Sequence, residues 1–452
     1  MRELFSSLDV IVSIALIFIV FLVVHKIQED NIDRFTYYSH LTRALLLKIF
    51  FGICFACVYI FYYDGGDTQY YFTGTRSIVR MAEKNFGAFV RLLLGERTQE
   101  LLSLFDWRTG WPTYFKDVNS WAVCRFTVPF YILGCGTYLG TTIAMDVILF
   151  IPIWRFYRML VKMYPENATM IAVSLLYIPS VLFWGSGLLK DVWCMVGIFS
   201  IYTACWMIFF QKKKIFKFVI VYLFWAYILT SIRPYTFYTV FATSIAWIGL
   251  HYLRMFNNRF VQVIFFPFMA IVIVGIFAVF MDNISDIAEG KYATVGSMME
   301  QAVIIQDDLK RDYYGSNSFD IGAFDATVPG MLKKMPQALL AGLFRPFIWE
   351  ARSPFMILSG LENFVVLLIT ILSVFKLRLS FFKAFAKDEF LLSIAIFVVA
   401  FGFFIGLTIA NFGALVRYRI VLFPFFAIIL SRLWYIQQRE LEMEEEDLED
   451  TN

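Results

Sequence analysis

Leu8-Asp9-Val10-Ile11-Val12-Ser13-Ile14-Ala15-Leu16-Ile17-Phe18-Ile19-Val20-Phe21-Leu22-Val23-Val24 is the stretch that decides the fold class. After Asp9 it is apolar but for one serine, and it stops at His25-Lys26. Such a run is at rest in hydrocarbon, and a helix crossing a bilayer needs about 20 apolar residues. Only Arg2 precedes the run, Glu3 and Asp9 flank it, and Val-Val-His-Lys offers no small-residue cleavage site. It therefore reads as a retained span and not as a leader.

Runs of the same kind follow at 43–63, 139–161, 168–184, 190–210, 215–231, 236–253, 260–281, 355–375, 389–410 and 418–435. The expectation is an all-α, polytopic transmembrane helix bundle of about eleven spans. Composition agrees: 60% of the 452 residues are hydrophobic and 17% are charged, against about 25% charged in soluble domains. The 52 Phe and the 19% aromatic content suit lipid contact and interfacial belts. A net charge of +3 gives no basic surface for nucleic acid. Six cysteines lie mostly in apolar runs, and Cys54-x-x-Cys57 sits inside a span with no βαβ context, so packing outweighs redox work there.

Cytoplasmic loops carry an excess of Lys and Arg. With eleven spans, His25 to Arg43, Arg155/Arg158/Lys162, Lys212-Lys213-Lys214 with Lys217, Arg254/Arg259, Lys376 to Lys387 and Arg432/Arg439 share one side. That places the N-terminus outside and the C-terminus in the cytoplasm. Residues 1–435 then form one transmembrane domain. Outer loops 64–138 and 282–354 make a small extracytoplasmic cap, and 436–452 is an acidic, solvated cytoplasmic tail. Segment 118–137 must be re-entrant or interfacial, because a full crossing would reverse every later loop. Residues 69–116 have an amphipathic pattern around Ile78 to Leu104 that suits helices lying on the membrane.

The outer connections hold the unusual residues. They are Asp64-Gly65-Gly66-Asp67-Thr68-Gln69-Tyr70-Tyr71, Trp184-Gly185-Ser186-Gly187-Leu188-Leu189-Lys190-Asp191, Ser231-Ile232-Arg233-Pro234-Tyr235, Arg345-Pro346-Phe347-Ile348-Trp349-Glu350 and Asn411-Phe412-Gly413 with Arg417-Tyr418-Arg419. Singly, each has an ordinary reading: a Gly-Gly turn, a snorkelling Arg before a helix-starting Pro, or a local Lys-Asp pair. Together, Arg233, Arg345, Arg417, Arg419 and Lys190 put cations on the side that the loop bias disfavours. Arginine forks match phosphate oxygens, so the pattern points to a lipid phosphate or pyrophosphate. A nearby carboxylate could take the proton of an attacking hydroxyl, and the outer aromatics could stack on sugars. Lys48 lies one turn inside its span and can snorkel. Asp146 lies about two turns below the outer surface and could pair with an Arg of the cluster or line a polar cavity. His25, His40 and His251 fall on or near the inner face, which leaves no outer histidine and no zinc pattern.

Gly66-Asp67-Thr68-x-x-Tyr71 after an early span resembles EpsG-type and O-antigen-polymerase-like bacterial membrane proteins. So do Pro179-Ser180 leading into Trp184-Gly-Ser-Gly-Leu-Leu-Lys190-Asp191, and Arg417-Tyr-Arg419 before an apolar span with Pro424. The layout resembles the GT-C superfamily of glycosyltransferases over most of the chain, although the shared motifs are short. The resemblance implies a lipid-linked-sugar-dependent glycosyltransferase or polysaccharide polymerase of the bacterial inner membrane. Its partners would be a polyprenyl-phosphate-linked sugar or oligosaccharide and membrane lipids, with no nucleic acid.

Carried over, Asp67 and Asp64 are the catalytic acids or the holders of a divalent cation. Arg417, Arg419, Arg233, Arg345 and Lys190 bind the donor phosphate. Tyr71, Trp184, Trp349 and Glu350 touch sugar or acceptor. The chain departs from these families in placing its acid after the second span, in lacking an outer-loop His and in having no large outer domain. A transporter or flippase of a lipid-linked or anionic solute is the first rival, although no inverted repeat is visible. A non-catalytic envelope-complex subunit is the second.

Overall fold

The computed structural model describes residues 5–255, 300, 303–308 and 317–450. The expected span 260–281 and part of the outer loop 282–354 lie outside them. Among the described residues the protein is helical, with a single β-bridge between Ser318 and Asn411. Seven helices are long and apolar enough to cross a membrane, or eight if the bent pair Phe412–Arg419 and Phe423–Met443 counts as one span. The chain divides into two compact units, Met1–Pro234 and Tyr235–Asn452.

In the first unit, α1 (Ser7–Ile32) starts with a capping box in which Ser6 and Asp9 satisfy each other's backbone amides. The buried Asp9 carboxylate also accepts the Leu139 amide at 3.0 Å, so one acid caps α1 and ties it to α7 (Tyr138–Met163). Most of the rest of α1 exposes apolar side chains such as Ile11, Ile14 and Phe18, a surface that only lipid stabilises. The chain continues through α2 (Leu41–Phe61), α3 (Asp67–Lys84), α4 (Phe86–Leu94), α5 (Gln99–Ser103) and α6 (Val118–Leu133) before α7.

After α7 the expected span 168–184 is broken. It forms α8 (Ala168–Leu176) and α9 (Pro179–Trp184), because Pro179 has no amide for a continuing helix and restricts the residue before it. Lys190–Cys205 is α10, prolonged by a π-helical turn at Trp206–Phe210, and Ile215–Ile232 is α11.

Cross-contacts fix the two ends of this unit. Lys162 lies over Trp206 and Arg158 over Tyr38, which brings the C-termini of α7 and α10 to the N-terminal side of α2. The basic residues of these connections therefore gather at one end. At the other end, Ile60 of α2 packs with Tyr138 and Leu139 of α7, and Asp191 of α10 pairs with Arg233 after α11. The 16 residues of α6 span about 24 Å, less than the roughly 30 Å of a hydrocarbon core. Asn119 at its start bonds to the Ser231 carbonyl at 3.0 Å, and Gly134 at its end abuts Gly140 of α7. Both ends of α6 thus sit at the same end of the unit, as expected of a segment that does not cross. Phe86, Val90 and Leu94 form an exposed stripe on α4, in keeping with the amphipathic pattern of 78–104.

In the second unit, α12 (Pro234–Met255) runs antiparallel to α17 (Glu389–Thr408), with Trp247 on Phe390 and Tyr235 on Phe404. Its 22 residues are long enough to span, but Tyr, Thr and Ser keep it outside the strongly apolar set. Short helices α13 (Val328–Lys333) and α14 (Met335–Phe344) precede α15 (Pro354–Leu377) and α16 (Leu379–Lys387). The bend of 63° separates α18 (Phe412–Arg419) from α19 (Phe423–Asp450). Helix α19 continues through the acidic stretch expected to be a solvated tail, since Glu, Leu and Met are good helix formers. At its basic end, Arg254 bonds to the Lys387 and Ala386 carbonyls.

Helix α14 crosses α17 at backbone contact. A Cβ added to Gly406 would lie 1.8 Å from the Ala338 carbonyl oxygen, and one at Gly342 would lie 2.0 Å from that of Gly402. Small residues permit such approach where no hydrophobic drive separates helix from lipid. Gly406→Ala is expected to cost about 1–3 kcal/mol by overpacking. The check is a lowered thermal midpoint of the purified protein against a control Gly413→Ala.

Candidate functional site

The acidic motif is a built turn. Asp64, Gly65 and Gly66 all have positive φ, at 52°, 132° and 131°, and such a succession depends on glycine at its last two positions. The Gly65 amide bonds to the Tyr59 carbonyl at 3.0 Å, and Gly66 lies against the Tyr59 ring. Helix α3 then starts at Asp67, where the helix dipole favours a carboxylate. The Tyr114 hydroxyl donates to Asp67 Oδ1 at 2.7 Å. Its ring packs on Tyr71 at 5.2 Å and on Tyr70 at 5.6 Å. Tyr71 is buried, whereas Tyr62, Tyr63 and Tyr70 are exposed. Asp67 is half-buried and Asp64 is exposed.

The loop that delivers Tyr114 is anchored upstream. Lys84 at the end of α3 bonds to Asp106 at 2.8 Å, and Asp106 also accepts the amides of Arg108 and Thr109. Lys84 foremost, with the Thr109 amide, pulls the Asp106 carboxyl from 3.8 to about 2. Farther along, burial works to raise the Asp117 carboxyl. The Lys190 charge and the Ser120 amide and hydroxyl outweigh it and hold Asp117 below its ordinary range.

Trp184 and Lys190 bracket five residues without helical structure. Phe55 on α2 links them to the acidic turn, with its ring 6.1 Å from Trp184 and 4.5 Å from Tyr59. Within this segment, Lys48 Nζ donates to the Gly185 carbonyl and to Ser186 Oγ, and pairs with Asp146 at 3.0 Å. Lys48 thus does not snorkel, and the partner of Asp146 is this lysine. Asp191 pairs with Arg233, both buried.

The first unit therefore gathers Asp64, Asp67 and Tyr71 at the acidic turn, links Trp184 to it through the rings of Phe55 and Tyr59, and holds Lys190 and Arg233 in the same half. The second unit holds Arg345, Trp349, Glu350, Arg417 and Arg419. Arg345 pairs with Glu350 at 3.2 Å and lies over Phe319. Trp349 is exposed and stacks on Phe347. Buried Arg419 donates to the carbonyls of Leu343 and Arg345 and to Asn363 Oδ1. Arg417 is half-buried beside the Tyr418 ring. Thus Arg233, Arg345 and Arg419 already serve protein groups.

Tyr114, Asn363 and the Lys48–Asp146 pair were not singled out as site residues from the sequence. Tyr114 sits in a Trp- and Tyr-rich loop, which was the available signal. Among the described residues no three His, Cys, Asp or Glu side chains cluster to hold a metal. Asp64 and Asp67 supply two carboxylates, one already bonded to Tyr114, a donor set that suits only a cation keeping most of its waters.

The Asp106 link is pH-sensitive. Its folded pKa is depressed, so the stability it contributes is present above the unfolded carboxyl's value near 4 and is lost as pH falls towards 2. Hydrogen exchange in 104–117 is expected to rise over that window, and Lys84→Met is expected to raise it already at neutral pH. Against families, curated proteins and solved structures, the chain matches no family model, no curated protein and no known structure.

Proposed function

We propose that this protein is a membrane-embedded glycosyltransferase or polysaccharide polymerase that uses a polyprenyl-(pyro)phosphate-linked sugar at the extracytoplasmic face. The observation that carries this reading is the Asp67–Tyr114 pair. An acid is held at the first residue of α3, among tyrosines, at the end of its unit away from the basic loops. In the reaction, an acceptor hydroxyl gives its proton to Asp67 as its oxygen bonds to the anomeric carbon. The bond from that carbon to the phosphate oxygen breaks, and the electron pair leaves with the (pyro)phosphate. Lys190 supplies positive charge to the leaving group, and the exposed rings of Tyr62, Tyr63 and Tyr70 offer faces for a sugar. A divalent cation, when bound, would add Lewis-acid charge at the phosphate. Arg417 of the second unit is assigned to the donor's pyrophosphate on the resemblance alone.

The proposal includes about eleven crossings, a GT-C-like layout, and an outside N-terminus with a cytoplasmic C-terminus in a bacterial inner membrane. The basic end of each unit supports this sidedness. Asp67→Asn is expected to lower glycan assembly at least about 100-fold, with normal amounts of protein in the membrane. An unchanged glycan profile removes Asp67 from its role.

A transporter or flippase of a lipid-linked solute is the second reading. It is favoured by the ion pair Lys48–Asp146 beside a broken helix inside the bundle. Reconstituted vesicles separate the two, since flipping of a fluorescent lipid-linked sugar without transfer supports the transporter.

A further inference from the structure

Non-helical backbone at membrane depth persists only where protein or water satisfies it. The segment 185–189 is buried and leaves the helical ladder between α9 and α10. Its carbonyls and its hydroxyl therefore need partners. Lys48 donates to the Gly185 carbonyl and to Ser186 Oγ. Asp146 pairs with that lysine at 3.0 Å, neutralises it and so holds it on the segment.

The surroundings are shaped to the same end. A Cβ on Gly52 would lie 2.1 Å from Asp146 Oδ2, so glycine keeps that carboxylate in place. Gly187 has φ +119° and lies flat on Phe55, where a Cβ would come within 2.5 Å of the ring. Lys48, Gly52, Phe55 and Tyr59 lie along one face of α2. That face carries the segment 185–189 at one level and the turn Asp64–Gly66 at the next.

An ion pair of this kind is a poor source of stability, because apolar replacements of similar volume are often neutral or better. What it supplies here is a single conformation for an unwound segment. We propose that Lys48 and Asp146 are positioning residues that hold Gly185–Leu189, and through it Trp184 and Lys190, in the arrangement that receives the donor. The last step rests on the transferase reading.

The experiment uses the full chain in nanodiscs and reads amide exchange across 184–190, with α11 as internal reference. Lys48→Met and Asp146→Asn are each expected to speed exchange in 184–190 about tenfold or more while α11 is unchanged. The double variant Lys48→Met/Asp146→Leu is expected to keep the parent's thermal midpoint and still show the faster exchange. Unchanged exchange in 184–190 overturns the proposal, and so does a rise shared equally by α11. Should the single variants fail to fold, Gly52→Ala, which displaces Asp146 without removing a charge, is read in the same way.

Binding of polyprenyl phosphate doped into the nanodisc is measured alongside. About tenfold weaker binding in the variants supports the link to the donor, and parent-like binding despite faster exchange overturns that link. If the parent itself binds none, the transferase reading falls while the exchange result stands.

Discussion

A peptide group that leaves the helical ladder inside a bilayer has no water to turn to, and each unsatisfied group costs several kcal/mol. The first unit meets this constraint at one place above all. Between Trp184 and Lys190 the chain runs unwound and buried, and the polar groups of α2 and α7 that face it are a lysine and an aspartate. Much else follows from accommodating that segment. Gly52 and Gly187 are small where the carboxylate and the Phe55 ring need space, and Pro179 starts α9 after a break. Helix α2 therefore serves two levels of one structure, with charge deep in the bundle and tyrosines at the rim.

The second unit solves a related problem with arginine. Arg419 is buried at the bend between α18 and α19, and its guanidinium is taken up by two carbonyls and by Asn363. Asn363 in turn donates to the Pro346 carbonyl at 2.9 Å. A planar group with five donors suits a corner where several carbonyls lose their helical partners. Arg345 is held by Glu350 across a three-residue turn. Both units thus place cations far from their basic ends, and Arg233, Arg345 and Arg419 find protein acceptors there.

The sequence was most legible where a single physical rule dominates. The apolar runs that became α1, α2, α7, α10, α11, α15 and α17 follow from length and hydrophobicity alone. The clustering of Lys and Arg at one end of each unit follows from the loop bias, and a non-crossing α6 follows from that clustering. Hydrophobicity makes 168–184 one continuous run because it is blind to the amide that Pro179 lacks. Pairings were least legible. Asp191 is reached by Arg233 from the end of α11, a partner that no local spacing announces. Depth alone suggests an outer arginine or a polar cavity for Asp146, whereas α2 brings Lys48 to it from the opposite end of its span. The bond between Tyr114 and Asp67 joins distant parts of the chain through a loop fold that no local pattern announces.

The turn at Asp64–Gly66 has one further consequence. Its successive positive-φ residues, its amide bond to Tyr59 and the first peptide units of α3 leave Asp67 no backbone freedom to lose. Conformational entropy surrendered on folding is not surrendered again on association. A partner that meets this carboxylate meets it already aimed, with the Tyr114 hydroxyl fixing one oxygen of a rigidly mounted acid.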